Sequence, residues 1–226
     1  MSAPRLAIVV LNYRNYRDTV ECVRALERMD APGAEVLIVD NDSPNESEAV
    51  LRETFPQHTV IQSGDNRGYA AGNNVGLRQA LDRGAGLVAI LNNDTMVEPD
   101  FASRMIAHAE AHPGAGALGA LIVREDGSPD RMSARRIPPL AEIFWNRGPG
   151  RWFGLHRGLQ ARAYYPSIES LAAPTEVEVL SGSCLVLRAA LLEEIGLLDE
   201  ATFLFWEEFI LAQKIERSSY KTMLFP

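Results

Sequence analysis

Apolar runs and segments of helical period alternate along the first half of the chain, and their order is the first structural signal. "LAIVVLN" (6–12) reads as a buried strand, and in "DTVECVRALERM" (18–29) Val20, Val23, Leu26 and Met29 recur near the helical period behind Asp18 as N-cap. "EVLIVD" (35–40) is a second strand, "ESEAVLRETF" (46–55) a helix and "TVIQS" (59–63) a third strand. "AGNNVGLRQALDRG" (71–84) follows as a helix and "LVAILN" (87–92) as a fourth strand. Such alternation predicts an α/β fold, Rossmann-like, with a mostly parallel sheet flanked by helices. Nearer the end, "EVEVLSGSCLVLR" alternates like a strand, "AALLEEIGLLDEATF" reads as helix then turn, and "YKTMLFP" as a last strand.

In open sheets of this kind ligands sit beyond the carboxyl ends of the strands, so polar residues there carry weight. The first strand ends on Asn12 and Tyr13, the second on Asp40-Asn41-Asp42-Ser43, the third runs into "GDNRGYAAGNN", and the fourth ends on Asn92-Asn93-Asp94. Turn and cap chemistry accounts for any one of these loops taken singly. Four in succession point to one crevice. A dinucleotide site would need glycines directly after the first strand, and "NYRNYRD" has none. The glycines come later, at Gly64, Gly68, Gly72 and Gly76, and no P-loop is present.

Composition narrows the classes further. The 226 residues are 46% hydrophobic and 23% charged, enough for one large domain with a substantial core. A net charge of −8 argues against nucleic-acid binding, which rewards clustered Lys and Arg. The apolar run near the N-terminus is too short for a signal-peptide core or a membrane span. Cys22 and Cys184 are far apart and in apolar surroundings, as expected of reduced thiols in a cytoplasmic protein. The segment 124–175 breaks the regular pattern. It is rich in Pro, Gly and aromatics, and Arg131, Arg135, Arg136, Arg147, Arg151, Arg157 and Arg162 make it the one locally basic stretch. A loop of this length is functional or mobile. Its composition suits an anionic, lipid-linked acceptor and a peripheral membrane contact through 131–162, or an insertion without a ligand.

"VVLNYRNYRDTVECVRAL", "VLIVDNDSPNES", "GDNRGYAAGNNVGLRQAL", "ILNNDTMVEPDFASRM" and "LSGSCLVLRAALLEEIGLLDEATFLFWEE" together resemble, in order, the blocks of the family 2 glycosyltransferases, and most of all the rhamnosyltransferase-like branch. The resemblance implies a type A nucleotide-sugar fold in a single domain. Its nucleotide-sugar-binding half would be 6–123, with an irregular insertion at 124–175 and an acceptor half at 176–226. It also implies an inverting glycosyltransferase that uses Mg²⁺ or Mn²⁺, a nucleoside-diphosphate sugar donor such as dTDP-rhamnose, and a glycan or lipid-linked glycan acceptor.

Residue by residue, the resemblance makes Asp94 the metal ligand at the end of "NND", in place of a D-x-D motif, with Asn92 and Asn93 beside it. Asp40 would hydrogen-bond the nucleoside in a pocket lined by Asn12 and Tyr13. Asn66, Gly68, Gly72 and Asn73 match the loop beside the donor, where missing Cβ atoms would admit the ligand, and Arg67 would meet a phosphate or solvent. The acidic pair Glu207-Glu208 replaces the Glu-Asp of relatives, with Glu208 at the position of the general base and Ile210 where a further aspartate is expected. In many relatives a histidine after the last strand completes the metal site; here the sequence stops at Pro226. The competing reading is a non-catalytic sugar-nucleotide or glycan-binding module. A nucleotidyltransferase, the third, lacks the glycine- and lysine-rich triphosphate loop it would need.

Overall fold

The computed structural model describes residues 5–31, 33–124, 126–137, 165, 168 and 171–226. Strand β1 (Leu6–Asn12) lies between β2 (Glu35–Asp40) and β4 (Leu87–Asn92), all parallel, with β3 (Thr59–Gln62) outside β2. Helices α1 (Tyr16–Leu26), α2 (Ser47–Thr54) and α3 (Tyr69–Asp82) connect them. The chain therefore winds outward from β1 through β3 and returns across the sheet to β4 on β1's other side. The reversal opens a crevice at the carboxyl ends of β1 and β4, where ligands of open α/β sheets bind.

Beyond β4, α4 (Phe101–Ala111) leads to β5 (Ala115–Ala120), but β5 does not pair with β4. Strand β9 (Cys184–Arg188) inserts antiparallel between them, and β10 (Lys221–Phe225) adds parallel to β5. The strand predicted at 176–188 is in fact three pieces. β7 (Thr175–Glu176) edges the main sheet, β8 (Val179–Leu180) pairs with β6 (Ala134–Arg135) in a separate two-stranded ribbon, and Ser181–Ser183 turn the chain into β9. Alternation alone cannot show such a change of partner.

Side chains alternate between two apolar layers, one on each face of the sheet. Leu6, Ile8 and Val10 of β1 pack with Cys22, Val23 and Leu26 of α1, Leu51 of α2 and Met105 of α4. Ala7 and Val9 face Leu77 and Ala80 of α3, together with residues of α5 (Ala189–Ile195) and α6 (Glu207–Glu216). The expected helices on both faces are present. Asp18 is not the cap of α1: the helix begins two residues earlier behind Asn15, whose side-chain amide donates to Asp18 in the first turn. Strand β5, "AGALGA", has no strong apolar signal because it must be slim. A Cβ on Gly116 would lie 2.6 Å from Tyr220 and one on Gly119 2.4 Å from Leu180.

Candidate active site

At the ends of β1 and β2 the register sets Asn12 beside Asp40. Asp40 is 0% exposed, and its carboxylate is fully engaged. One oxygen accepts from Asn12 Nδ2 (2.6 Å) and Ser43 Oγ (2.7 Å), the other from the Ser43 backbone N–H (3.0 Å) and Gln62 Nε2 (3.2 Å). Thr19 of α1 donates to Asn12 Oδ1 (2.8 Å) and accepts from Asn93 Nδ2 (3.0 Å), tying this knot to the turn after β4. Tyr13 is exposed at its rim, with the Arg14 guanidinium 5.0 Å over its ring. The residues expected to line a nucleoside pocket are thus together. Asp40 itself is enclosed, and the accessible surface belongs to its neighbours.

The turn after β4 carries Asn92, Asn93 and Asp94. The phenol of Tyr69, the first residue of α3, donates to the Gly182 carbonyl (2.8 Å) and lies 3.0 Å from the Asn92 side-chain oxygen. Asn92 N–H in turn donates to Ser183 O (3.0 Å). Asp94 is exposed, and among the described residues its carboxylate enters no hydrogen bond or ion pair. The described residues hold no cluster of three His, Cys, Asp or Glu able to cage a metal. One free carboxylate suits a Mg²⁺-like cation that takes its other oxygens from water and from a ligand's phosphates. His108 and His112 are occupied elsewhere, packed on Phe225 with ring centroids 4.2 and 5.3 Å away.

Across the crevice α6 opens with the acidic pair. Glu207 is only 8% exposed, and burial, reinforced by Glu208, pushes its carboxyl above the usual range against the pull of its own backbone N–H and of Arg135. Burial likewise raises the phenol of Tyr69, with Glu207 and Glu208 adding to the effect. The same tyrosine thus touches the Asn92 turn and feels the acidic pair. Glu208 forms an ion pair with Arg135 of β6. Oε2 of Glu207, Oε2 of Glu208 and Nε of Arg135 are buried without a hydrogen-bond partner.

The glycines of "GYAAGNNVGL" are required by packing within the chain. Gly68, at φ 101°, lies against Phe203, whose carbonyl oxygen would be 2.2 Å from an added Cβ. A Cβ on Gly72 would meet Leu11 at 2.7 Å and Asn41 at 2.9 Å, and one on Gly76 would meet Val9 at 2.4 Å. These small residues let α3 sit down on β1 and β2. Asn73 is fully buried, its Nδ2 donating to Tyr69 O (3.0 Å), and Asn66 Oδ1 accepts from Asn41 Nδ2 (2.9 Å) and the Gly68 N–H (3.1 Å). Arg67 pairs with Glu200 at 2.8 Å. Both cysteine thiols are buried and pushed up to about 12, chiefly by desolvation. Of the basic insertion, Arg147, Arg151, Arg157 and Arg162 lie outside the described residues.

The model of the family described as "Glycosyl transferase family 2" matches residues 7–196. The chain belongs to this family. It is 28% identical over 209 residues to an N-acetylglucosaminyl-diphospho-decaprenol L-rhamnosyltransferase of Mycobacterium tuberculosis, covering 84% of this chain and 64% of that protein. It is also 27% identical over 218 residues to a low-salt glycan biosynthesis hexosyltransferase of Haloferax volcanii, covering 95% and 62%. The chain thus spans less than two thirds of the length of these relatives. Among solved structures, a mannosyltransferase from Pyrobaculum calidifontis in complex with GDP-Man and Mn²⁺ superposes with TM-score 0.66 at 17% identity, covering all of this chain and 55% of that one. TarS 1–349 of S. aureus in complex with UDP-GlcNAc gives 0.62 at 16%, covering 98% and 56%. At such identity the likeness is one of fold, and that fold is the type A glycosyltransferase fold. For this family 2 chain, Asn12, Asp40 and Asp94 lie inside the matched region and Glu207 and Glu208 beyond it. No helix among the described residues is long and apolar enough to cross a membrane.

Sequence reasoning passed over Tyr69, Gln62 and Thr19, and noted Arg135 only as one cation among several. Thr19 sits inside a helical pattern and reads as an ordinary helix residue, and Tyr69 falls just before the helix expected at 71–84, in the polar run after the third strand. Gln62 ends a short strand, and nothing in its spacing reveals that it closes on Asp40.

Proposed function

We propose that the chain is an inverting glycosyltransferase that moves a sugar from a nucleoside-diphosphate donor to a hydroxyl of a glycan or lipid-linked glycan, using Mg²⁺ or Mn²⁺. One observation carries the reading: the Asn92-Asn93-Asp94 turn and the Glu207-Glu208 pair share the crevice beyond β4, joined through Tyr69. A leaving group and an attacking group can therefore be handled from opposite sides of one sugar. The family membership and the names of the relatives support the transfer, and a rhamnosyl donor such as dTDP-rhamnose follows the mycobacterial relative.

In this scheme exposed Tyr13 and half-buried Ser43, held in place by the buried Asn12 and Asp40, meet the nucleoside, and Asp94 holds the cation. That cation, when bound, neutralises charge developing on the departing diphosphate. Glu208 takes the proton of the acceptor hydroxyl as its oxygen attacks the anomeric carbon. The new C–O bond forms as the bond to the diphosphate breaks, and the electron pair leaves with the diphosphate oxygen. The two buried free thiols suit a reducing, cytoplasmic setting.

The test is calorimetric titration with UDP, dTDP and GDP, each with and without Mn²⁺, on the native chain and on Asp94→Ala. One diphosphate is expected to bind with Mn²⁺, and Asp94→Ala to make its affinity the same with and without the ion. Failure of all three to bind would overturn the reading.

A further inference from the structure

We infer that Arg135 is the positioning residue of the acceptor side: it grips one oxygen of Glu208 and leaves the other without a partner, to take the acceptor's proton. The inference rests on the glycosyltransferase reading above.

The geometry is unusual for a pair that serves stability alone. The side chains of Arg135 and Glu208 are 17% and 14% exposed. A buried ion pair recovers its desolvation cost only when the remaining lone pairs and N–H groups are satisfied, and arginine does this by a two-pronged grip on the carboxylate. Here the contact is single, between Arg135 Nη2 and Glu208 Oε1. Glu208 Oε2 and Arg135 Nε are buried and open. One oxygen is therefore anchored and its twin left without a partner, the arrangement that a base with a fixed direction requires.

Arg135 is itself held firmly. Its strand pairs with β8, setting Arg135 opposite Val179, and its guanidinium lies 4.7 Å over the ring of Phe209, the residue after Glu208. Helix and ribbon are thus clamped to each other at the acidic pair. Among the described residues, the groups that face Glu208 are Arg135 from β6, Glu207 from its own helix, Tyr69 from α3 and Glu178 across a small cavity under α6. Arginine is the one cation among them, and it stays charged at every working pH. Two neighbouring carboxyls beside a single cation divide their roles. Burial drives Glu207 toward its protonated form, and the cation touches its neighbour Glu208.

The experiment compares the native chain with Arg135→Met, which keeps bulk and removes charge, and Arg135→Lys, which restores charge. Release of nucleoside diphosphate is followed against pH with dTDP-rhamnose, UDP-GlcNAc and GDP-mannose as donors, Mn²⁺, and an N-acetylglucosaminyl-diphospho-lipid acceptor. Arg135→Met is expected to lower kcat about ten- to a hundredfold, as misplacement of a reacting group does. The KM for donor should stay within about twofold, since donor binding is not the step affected. The acidic limb of the rate profile should move up by about one pH unit, because a carboxyl pair deprived of its cation takes up protons more readily. Arg135→Lys should bring the limb back and recover most of the rate. A lower kcat with an unmoved pH profile would mean that Arg135 only packs, and an unchanged kcat would mean that it has no part in the reaction; either overturns the inference. A substrate-free measurement runs beside it, the carboxyl ¹³C titration of Glu207. It should shift to higher pH in Arg135→Met and return in Arg135→Lys, and no shift would also overturn the inference. A native chain that turns over no donor would sink the glycosyltransferase reading, and the titration would still decide the coupling.

Discussion

The two walls of the crevice are built on opposite principles. At the ends of β1 and β2 the polar groups around Asp40 are spent: Asp40 accepts from Asn12, Ser43 and Gln62, and Asn12 also accepts from Thr19, with Asn41 Oδ1 beside them buried and open. At the start of α6, by contrast, Glu207 Oε2, Glu208 Oε2, Arg135 Nε and Thr202 Oγ1 are buried without partners. Both walls hold left-handed backbone: Arg14 and Asp42 follow β1 and β2 at φ 66° and 57°, while Phe205 and Trp206, directly before the acidic pair, take 68° and 77°, which costs bulky residues about 1–3 kcal/mol each. The knot around Asp40 is finished as a piece of the fold, and the second wall carries more open valences, which folded chains keep where a ligand or a reaction compensates them.

If that contrast is right, substitutions on the two walls separate activity from stability. The largest effect belongs to Glu208→Gln. Removing a positioned base costs about 10²- to 10⁴-fold in rate, so kcat should fall by that order while Mn²⁺-dependent nucleoside-diphosphate binding stays unchanged by calorimetry. A variant within tenfold of the native rate would remove Glu208 as base and transfer the role to Glu207 or to water.

On stability the order is reversed, and the hinge between the walls comes first. Gly68 has φ 101° and touches the Phe203 backbone, while the Tyr69 N–H donates to Phe203 O at 2.8 Å. Gly68→Ala adds a Cβ 2.2 Å from that oxygen in a conformation that L residues avoid. A loss of about 2–4 kcal/mol is expected from strain and overpacking together, visible in urea unfolding as a lower midpoint. An unaltered midpoint would show that the Phe203 segment moves away freely.

Much of this was readable in advance, and the omissions have physical causes. The four parallel strands stand out because each is a continuous apolar run closed by polar residues, and the strand-end rule then singles out Asn12, Asp40, Asn92, Asn93 and Asp94. Strand β5 hides because Gly116 and Gly119 must admit Tyr220 and Leu180, which removes the apolar signal. A spacing of four at Gly68, Gly72 and Gly76 suits both a loop beside a ligand and a helix face pressed on a sheet, so the packing on β1 and β2 is not visible in the sequence. Arg135 could not be singled out at all. Its partner is 73 residues away, and its segment has no periodicity to place it on a face.

A smaller effect on the finished wall is expected from Asp40→Asn. Whichever way the amide turns, an NH₂ group meets donors that now bond to oxygen, either Asn12 and Ser43 Oγ or the Ser43 N–H and Gln62. Leaving a buried donor unsatisfied costs about 1–3 kcal/mol. For a chain of this length that is a Tm lower by roughly 3–10 °C in calorimetry. An unchanged Tm would mean that the knot is looser than its distances suggest, and the contrast between the walls would weaken.

The smallest effect, and the one with a sign of its own, is Glu207→Gln. In the folded chain burial and the neighbouring Glu208 hold the Glu207 carboxyl above its ordinary value of 4.5, so the folded state binds the proton more tightly than the unfolded state does. Stability from this group is then fully present below the ordinary value, falls as pH rises through the window up to the raised value, and stays low above it. Glutamine has no proton to lose and removes that slope. The difference in Tm between Glu207→Gln and the native chain should therefore be least near pH 4, grow in favour of the variant as pH rises, and level off above the window. Turnover should stay within about tenfold of native, unlike Glu208→Gln, because the general-base role lies with its neighbour. A Tm difference independent of pH would show that Glu207 is paired in solution, and the second wall would then have one open valence fewer to offer an acceptor.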